Sequence, residues 1–164
     1  GEAKCASPEA LAGTARAYLD NTDARLLLIA GPADAKAAQA FRVAWGAGLA
    51  ELYSPPLPVL GALLSRASAY LGCDSGVSHL AALYGAPSLV LFGPTSDQDR
   101  WVPLGPRADW LWWKEWNKGK GVLEKLAAGE RSKNPREKIR AAPHSNNFPS
   151  RPQRTDPASA FQDQ

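Results

Sequence analysis

Residues 68–93 read S-A-Y-L-G-C-D-S-G-V-S-H-L-A-A-L-Y-G-A-P-S-L-V-L-F-G, and this stretch decides the fold class. Two short apolar runs, 68–73 and 87–92, have the length and the bounding turn residues of buried strands. Between them, 76–84 has the character of a helix, and Gly85 is the residue type that ends one. A strand, a helix and a second strand in succession predict a βαβ unit with parallel strands.

The upstream sequence repeats this alternation. It predicts helices at 7–18, 34–45 and 57–66, and strands at 25–30 and 49–53. The apolar run at 25–30 is typical of a strand buried on both faces of a parallel sheet. We therefore expect an α/β fold in which helices cover both faces of a parallel sheet.

Charge is unevenly distributed along the 164 residues. Residues 1–107 carry eight Lys and Arg against nine Asp and Glu, whereas 108–164 carry eleven against seven, a net of +4. The second segment has few large apolar residues after its tryptophans, too few to offset the entropy of ordering. We expect a folded domain at 1–107, followed at 108–164 by a Trp-rich segment and an irregular, disordered basic tail.

The tryptophan cluster has two interpretations. Its members are Trp110, Trp112, Trp113 and Trp116. Beside Lys114, Lys118 and Lys120 they could form a stacking platform for single-stranded nucleic acid. Such aromatic residues more often cover exposed core, here a surface that a neighbouring domain would occupy. We therefore expect no nucleic-acid partner.

Cys5 and Cys73 are the two cysteines of the chain. Two are too few for a disulfide framework or a zinc site, so a reducing compartment fits best. The sequence has no run of 18 apolar residues and no apolar signal segment near Gly1. We expect neither a membrane span nor secretion, and hence a cytoplasmic location.

The segment Asp74-Ser75-Gly76 raises the possibility of a serine nucleophile. The same three residue types surround the nucleophile of chymotrypsin-like proteases, but those enzymes have different flanking residues and an all-β fold. His79 could approach the Ser75 hydroxyl on one helix face, yet no third group is evident to orient it. The sequence therefore disfavours nucleophilic catalysis here.

A second interpretation uses the backbone of the same segment. If a strand ends at Cys73 and a helix begins at Gly76, the turn between them lies where parallel sheets bind ligands. The first N–H groups of the helix would attract a phosphate, and Gly76 would let it approach the main chain. Ser75 could donate a hydroxyl and Asp74 could accept from sugar hydroxyls. Alternatively, Asp74 or Ser75 only caps the helix.

Two further strand ends favour the ligand interpretation. Gly31-Pro32-Ala33-Asp34 follows one predicted strand, and Phe92-Gly93-Pro94-Thr95-Ser96 follows another. Three strand ends at one sheet edge thus carry glycine with a hydroxyl or an acid. Because no G-x-G-x-x-G follows a strand, the pattern is not that of a dinucleotide fold. We expect a nucleotide-diphosphate ligand instead.

The run from 67 to 95, followed by W-V-P-L-G at 101–105, resembles the donor-binding domain of glycosyltransferase family 9. This family contains the ADP-heptose:lipopolysaccharide heptosyltransferases. Its pattern is an acid, a small hydroxyl residue and glycine, then His-Leu after two residues, a proline opening the next strand, and Gly-Pro-Thr closing it. The resemblance covers about residues 4–107 and implies a Rossmann-like domain, the C-terminal half of a GT-B glycosyltransferase.

The resemblance implies a set of donor-binding residues. Lys4 would meet the diphosphate, although the family's usual tryptophan two positions later is Ala6 here. Asp34 would hold the ribose, and the loop 53–57 would seat the base. The full donor-binding set is Lys4, Asp34, Asp74, Ser75, Gly76, His79, Gly93 and Thr95. His79 alternatively contacts only neighbouring backbone; no metal and no cofactor are implied.

The resemblance also sets the expected activity. Family members transfer a sugar with inversion, in lipopolysaccharide core synthesis, and can associate peripherally with the inner membrane. Their acceptor site and catalytic aspartate lie in an N-terminal domain that these residues do not include, so we expect no catalytic residue here and no transfer by this chain alone. The alternative is a non-catalytic remnant or interaction module with the same fold.

Overall fold

The computed structural model describes residues 5–112, which form alternating helices and strands. The helices are α1 (Pro8–Leu19), α2 (Ala35–Trp45), α3 (Leu57–Leu64), α4 (Gly76–Leu83) and α5 (Gln98–Trp101). The strands are β1 (Leu27–Ala30), β2 (Ala50–Tyr53), β3 (Tyr70–Cys73), β4 (Ser88–Phe92) and β5 (Ala108–Trp112). A short 3-10 turn at Pro32–Asp34 leads into α2. The elements predicted up to Phe92 are all present, with ends that differ by one or two residues.

All described strand pairs are parallel. β1 pairs with β2, and β4 pairs with both β3 and β5, so the ladders form a two-stranded and a three-stranded sheet. Ile29 of β1 packs into the same cluster as Tyr70 of β3, which brings the two sheets together at these strands. The predicted α/β, Rossmann-like architecture is confirmed.

Apolar side chains form a core on each face of the sheet. On one face, Leu11 and Tyr18 of α1 pack against Leu89, Leu91 and neighbouring sheet residues. On the other face, α3, α4 and the turn after α4 contribute the buried cluster, which consists of Leu60, Leu64, Ala81 and Ala86. α2 packs on α1, and α4 packs on α3. The helices therefore cover both faces, as the sequence predicts.

β4 is the centre of the core. All five of its residues are buried, and Val90 and Phe92 are 0% exposed. Burying a side chain of this kind stabilises the fold by about 1.5–3 kcal/mol. The prediction that 25–30 is buried on both faces is wrong, because Leu27 is 38% exposed. β1 pairs only with the exposed β2 among the described strands, which leaves its first residues near the solvent.

Arg16 fastens α1 to α2. Its guanidinium carbon lies 4.5 Å from the centre of the Trp45 ring, and its Nη2 donates to the Ala44 carbonyl at 3.3 Å and to the Trp45 carbonyl. Trp45 also stacks on Phe41, one turn earlier, with ring centroids 6.0 Å apart. The last turn of α2 is thus held by a cation–π contact and by capping of its free carbonyl groups.

The sheet continues past residue 107, where the sequence predicts the folded domain to end. β5 pairs along its whole length with β4, and Ala108 and Leu111 are buried. Trp110 and Trp112 lie in this strand and are half-buried. The predicted disordered tail and the other two tryptophans of the cluster lie outside the described residues. Within residues 5–112, no helix has the length and apolar character needed to cross a membrane.

Candidate functional site

The chain changes direction across the sheet between β1 and β3. After β1 it enters α2, which packs with α1 on one face, whereas after β3 it enters α4, which packs with α3 on the other. In open parallel sheets, a crevice forms where connections diverge to opposite faces, at the carboxyl ends of the strands. The turns that follow β1 and β3 lie at this point.

Ser75 is the N-cap of α4. Its Oγ accepts a hydrogen bond from the Ser78 N–H at 3.4 Å, and its backbone is extended. The capping role that the sequence left open therefore belongs to Ser75. Gly76 is the first helical residue, and a Cβ placed on it would meet no atom within 4 Å. The space on the side-chain side of Gly76 is therefore open, next to a first turn whose N–H groups have no acceptor within the helix.

Ser78 anchors the turn from inside the fold, and sequence reasoning did not single it out. It is 1% exposed, and its hydroxyl donates to the Cys73 carbonyl at 2.5 Å. The same oxygen lies 3.0 Å from the Tyr70 hydroxyl and 3.2 Å from the Ser75 Oγ. Burial raises the pKa of Tyr70, so this phenol stays protonated and can donate to Ser78. The buried Ser78 hydroxyl therefore fixes the position of the Ser75 side chain.

Gly72 makes room for this network. A Cβ on Gly72 would lie 2.7 Å from Cζ of Tyr70, because the Tyr70 ring folds along its own strand over Gly72. Only glycine allows that close approach. The signal in the sequence is Tyr-x-Gly followed by Ser-x-x-Ser, which places Tyr70 and Ser78 within reach of each other across the strand-to-helix turn.

The turn after β1 is simpler. Asp34 is the last residue of the 3-10 turn and directly precedes α2, and its Oδ2 accepts a hydrogen bond from the Gly31 N–H at 3.0 Å. Asp34 is exposed, and the bond from Gly31 lies within its own turn. The side chain is therefore positioned by its own loop, at the sheet edge where the sequence predicts it.

The turn after β1 and the turn after β3 both lie near the Cys5 thiol. The carboxylates of both Asp34 and Asp74 act on Cys5, each disfavouring its thiolate. The stronger influence is a hydrogen bond from Cys73, which lowers the pKa of Cys5 to about 7. The structure therefore brings Asp34 and Asp74, predicted from two separate strand ends, to one side of the molecule. Asp74 is half-buried, with Oδ2 shielded from solvent.

The remaining predicted residues lie on the neighbouring turns. His79 is half-buried in the first turns of α4, and its ring meets the edge of Trp101 with centroids 6.4 Å apart. Gly93 is buried and its carbonyl accepts the Ser96 N–H at 3.2 Å, while Thr95 is exposed on the same turn. Trp101 is 47% exposed and was not predicted as a neighbour of His79.

Lys4 lies outside the described residues, so the structure does not place it. Among residues 5–112, no three His, Cys, Asp or Glu side chains gather into a group that could hold a metal ion. The described site is therefore built from backbone N–H groups, hydroxyls and two carboxylates. This donor set suits a phosphorylated ligand that carries hydroxyl groups.

The fold is a Rossmann-like α/β domain with polar residues at the carboxyl ends of its strands. The model of one family, glycosyltransferase family 9 (heptosyltransferase), matches residues 15–128. The match covers more than half of the chain, and the chain belongs to this family. The matched region begins after Lys4 and extends beyond residue 107, where the resemblance inferred from the sequence ends. No curated protein matches the chain.

A solved structure shares the fold. The chain superposes on the crystal structure of a family 9 glycosyl transferase from Veillonella parvula with a TM-score of 0.57 and 20% sequence identity. The match covers 85% of this chain and 40% of the Veillonella chain. The matched part of this chain thus spans 40% of the length of that protein.

Proposed function

We propose that this chain is the donor-binding half of a glycosyltransferase that uses a nucleotide-diphosphate sugar. The observation that carries the proposal is the N-terminus of α4, where Gly76 opens the first turn to a ligand at the carboxyl end of β3. The family to which the chain belongs is described as heptosyltransferase. We propose ADP-heptose as the donor and the lipopolysaccharide core as the acceptor class.

The diphosphate lies, in this proposal, against the first turn of α4. The unpaired N–H groups and the positive end of the helix dipole favour the phosphate oxygens. The Ser78 hydroxyl donates its proton to the Cys73 carbonyl, so the Ser75 hydroxyl receives none from it. The Ser75 O–H can rotate away from Ser78 and donate to a phosphate oxygen. Thr95, exposed on the turn after β4, adds a second hydroxyl.

The carboxylates recognise the hydroxyl groups of the ligand. Asp34 accepts from the ribose, and Asp74 accepts from the transferred sugar, since ionised carboxylates are pure acceptors. The loop after β2 presents exposed apolar side chains on which a base can lie: Tyr53 is 56% and Leu57 is 70% exposed. His79 completes the set beside the diphosphate, with its ring oriented by Trp101.

Transfer requires more than this half of the site. When an acceptor hydroxyl attacks the sugar, with inversion, the bond from the anomeric carbon to the diphosphate breaks, and negative charge grows on the leaving group. The α4 N-terminus stabilises that charge. A base must also take the acceptor proton. We propose that a second domain supplies this base, so that residues 1–164 bind nucleotide and transfer nothing.

Hydrogen exchange with added nucleotide tests the proposal. ADP at millimolar concentration is expected to slow exchange of the amides at 74–79, and UDP is expected to protect them less. Protection elsewhere alone, or no effect of either nucleotide, would leave the alternative of a non-catalytic module with the same fold. Turnover of ADP-heptose by the pure chain would contradict the assignment of the base to another domain.

A pair of glycine substitutions separates binding from stability. A Cβ on Gly76 or on Gly13 meets no atom of the protein within 4 Å, and both glycines lie in helices. Neither Gly76→Ala nor Gly13→Ala is therefore expected to destabilise the fold. Gly76→Ala is expected to weaken ADP binding about tenfold, since the methyl group occupies the path of the phosphate. Gly13→Ala is expected to leave binding unchanged in the same titration.

A further inference from the structure

The two cysteines meet across the fold. Cys5 lies just before α1 and Cys73 is the last residue of β3, and both are free thiols. The Cys73 thiol donates a hydrogen bond to the Cys5 sulfur. The Ala6 N–H donates to the Cys73 Sγ at 3.3 Å, and Ala6 is 4% exposed, so the segment that carries Cys5 is fixed against the end of β3.

The two thiols differ in reactivity. Cys5 is exposed, and the hydrogen bond from Cys73 lowers its pKa to about 7, so a large part of it is thiolate at neutral pH. Cys73 is half-buried, and the hydrogen bond to Cys5, together with burial, raises its pKa. An exposed thiolate with a protonated thiol in contact is the arrangement of an attacking and a resolving cysteine.

We propose that Cys5 and Cys73 form a reversible, peroxide-responsive disulfide. The Cys5 thiolate attacks one oxygen of hydrogen peroxide, the O–O bond breaks, and hydroxide leaves as Cys5 becomes a sulfenic acid. The Cys73 sulfur then attacks the Cys5 sulfur, the S–O bond breaks, and the hydroxide released takes up the Cys73 proton. In total, two thiols and one peroxide give one disulfide and two waters, and a dithiol reductant restores the pair.

This site does not depend on the proposed function. The disulfide joins the segment before α1 to the residue that precedes Asp74, and it closes a loop that includes α1, α2, α3 and the strands between them. A cross-link of this span constrains the unfolded chain strongly. Formation of the disulfide is therefore expected to raise the Tm by roughly 5 °C or more. Oxidation of one cysteine to a sulfenic or sulfinic acid forms no cross-link and would not produce this effect.

Mass spectrometry of the whole chain after stoichiometric hydrogen peroxide tests the proposal. The wild type is expected to lose two hydrogens, to remain a monomer on a non-reducing gel, and to yield a cross-linked peptide pair containing both cysteines. Dithiothreitol is expected to reverse the change. Oxidation of Cys5 to sulfinic acid without the cross-link, or disulfide-linked dimers in place of it, would overturn the proposal.

Two variants assign the roles of the cysteines. In Cys73→Ser the serine oxygen can still accept the Ala6 N–H, and Cys5 is expected to stop at the sulfenic acid, which dimedone labels. In Cys5→Ser the remaining thiol is expected to react at least tenfold more slowly with peroxide. Equal reaction rates of the two variants would contradict Cys5 as the attacking residue, whatever their stability.

Discussion

The turns after β1 and β3 lie on the same side of the molecule, yet they are held differently. The turn after β3 is supported from the core, because buried Ser78 ties together the Cys73 carbonyl, the Tyr70 hydroxyl and Ser75. The turn after β1 is closed by one local hydrogen bond, from the Gly31 N–H to exposed Asp34. The geometry of the turn after β3 therefore depends on core residues, whereas that of the turn after β1 depends on a hydrogen bond within the loop.

This difference suits the roles that we propose for them. A helix N-terminus that meets a diphosphate works best when its N–H groups are preorganised, since reorganisation at the moment of reaction costs energy. A carboxylate that accepts from ribose hydroxyls gains from adaptability instead. Substitutions in the two turns are therefore expected to change the free energy of unfolding by different amounts.

Ser78→Ala is expected to cost the most. The alanine leaves the Cys73 carbonyl without the Ser78 donor and the Tyr70 hydroxyl without its acceptor, and each unpaired buried group costs about 1–3 kcal/mol. We expect a loss of about 2–3 kcal/mol in urea unfolding, because Cys73 is only half-buried and water can partly replace the donor to its carbonyl. Ser65→Ala is the control: Ser65 is exposed and donates to the Ala62 carbonyl at 2.9 Å. An equal effect of the two changes would contradict support from the core.

Gly72→Ala tests the same network from the strand. The new methyl group would meet Cζ of Tyr70 at 2.7 Å, so the ring must move and its contact with Ser78 is lost. Displacement of a packed ring of this kind costs about 1–3 kcal/mol. Because both changes break one network, the double variant Gly72→Ala/Ser78→Ala is expected to cost less than the sum of the single variants. Strict additivity in urea unfolding would show that Gly72 and Ser78 act separately.

The two capping side chains provide the direct comparison. Ser75→Ala removes the N-cap of α4 and is expected to cost about 1 kcal/mol. Asp34→Ala exposes the Gly31 N–H to water, which replaces the lost partner, so a change within about 0.5 kcal/mol is expected. Both are measured by urea unfolding at one pH. A larger loss for Asp34→Ala would mean that the turn after β1 is part of the cooperative fold to the same degree.

The sequence predicts these two turns with unequal success. Their positions follow from local rules, because apolar runs end at Cys73 and at Ala30 and turn residues come next. The support beneath Ser75 does not follow, since it depends on Tyr70 folding back over Gly72, a contact that no periodicity reports. The end of α4 is predictable from the sequence because Gly85 is a glycine, and the structure gives it a φ of +77°, a conformation that favours this residue.

The other differences between prediction and structure also have physical causes. Leu27 lies in an apolar run, but the run does not reveal that its strand pairs with the exposed β2. The strand β5 was not predicted, because the tryptophans and charged residues around it suggested a change of character rather than a pleated strand. In both cases the decisive factor is the position of a strand in the sheet, which is set by residues distant in sequence.

The smallest expected effect uses Cys5 as a probe of the distance between the two turns. The negative charges of Asp34 and Asp74 both raise the pKa of Cys5, against the dominant lowering by the hydrogen bond from Cys73. Removing either charge stabilises the thiolate, so the pH midpoint of Cys5 alkylation by iodoacetamide is expected to move below about 7, further for Asp34→Asn than for Asp74→Asn. Asp20→Asn, at the exposed end of α1, is expected to leave the midpoint unchanged. If Asp74→Asn alone moves the midpoint, the turn after β1 does not hold Asp34 near Cys5 in solution, and the two strand ends do not form one site.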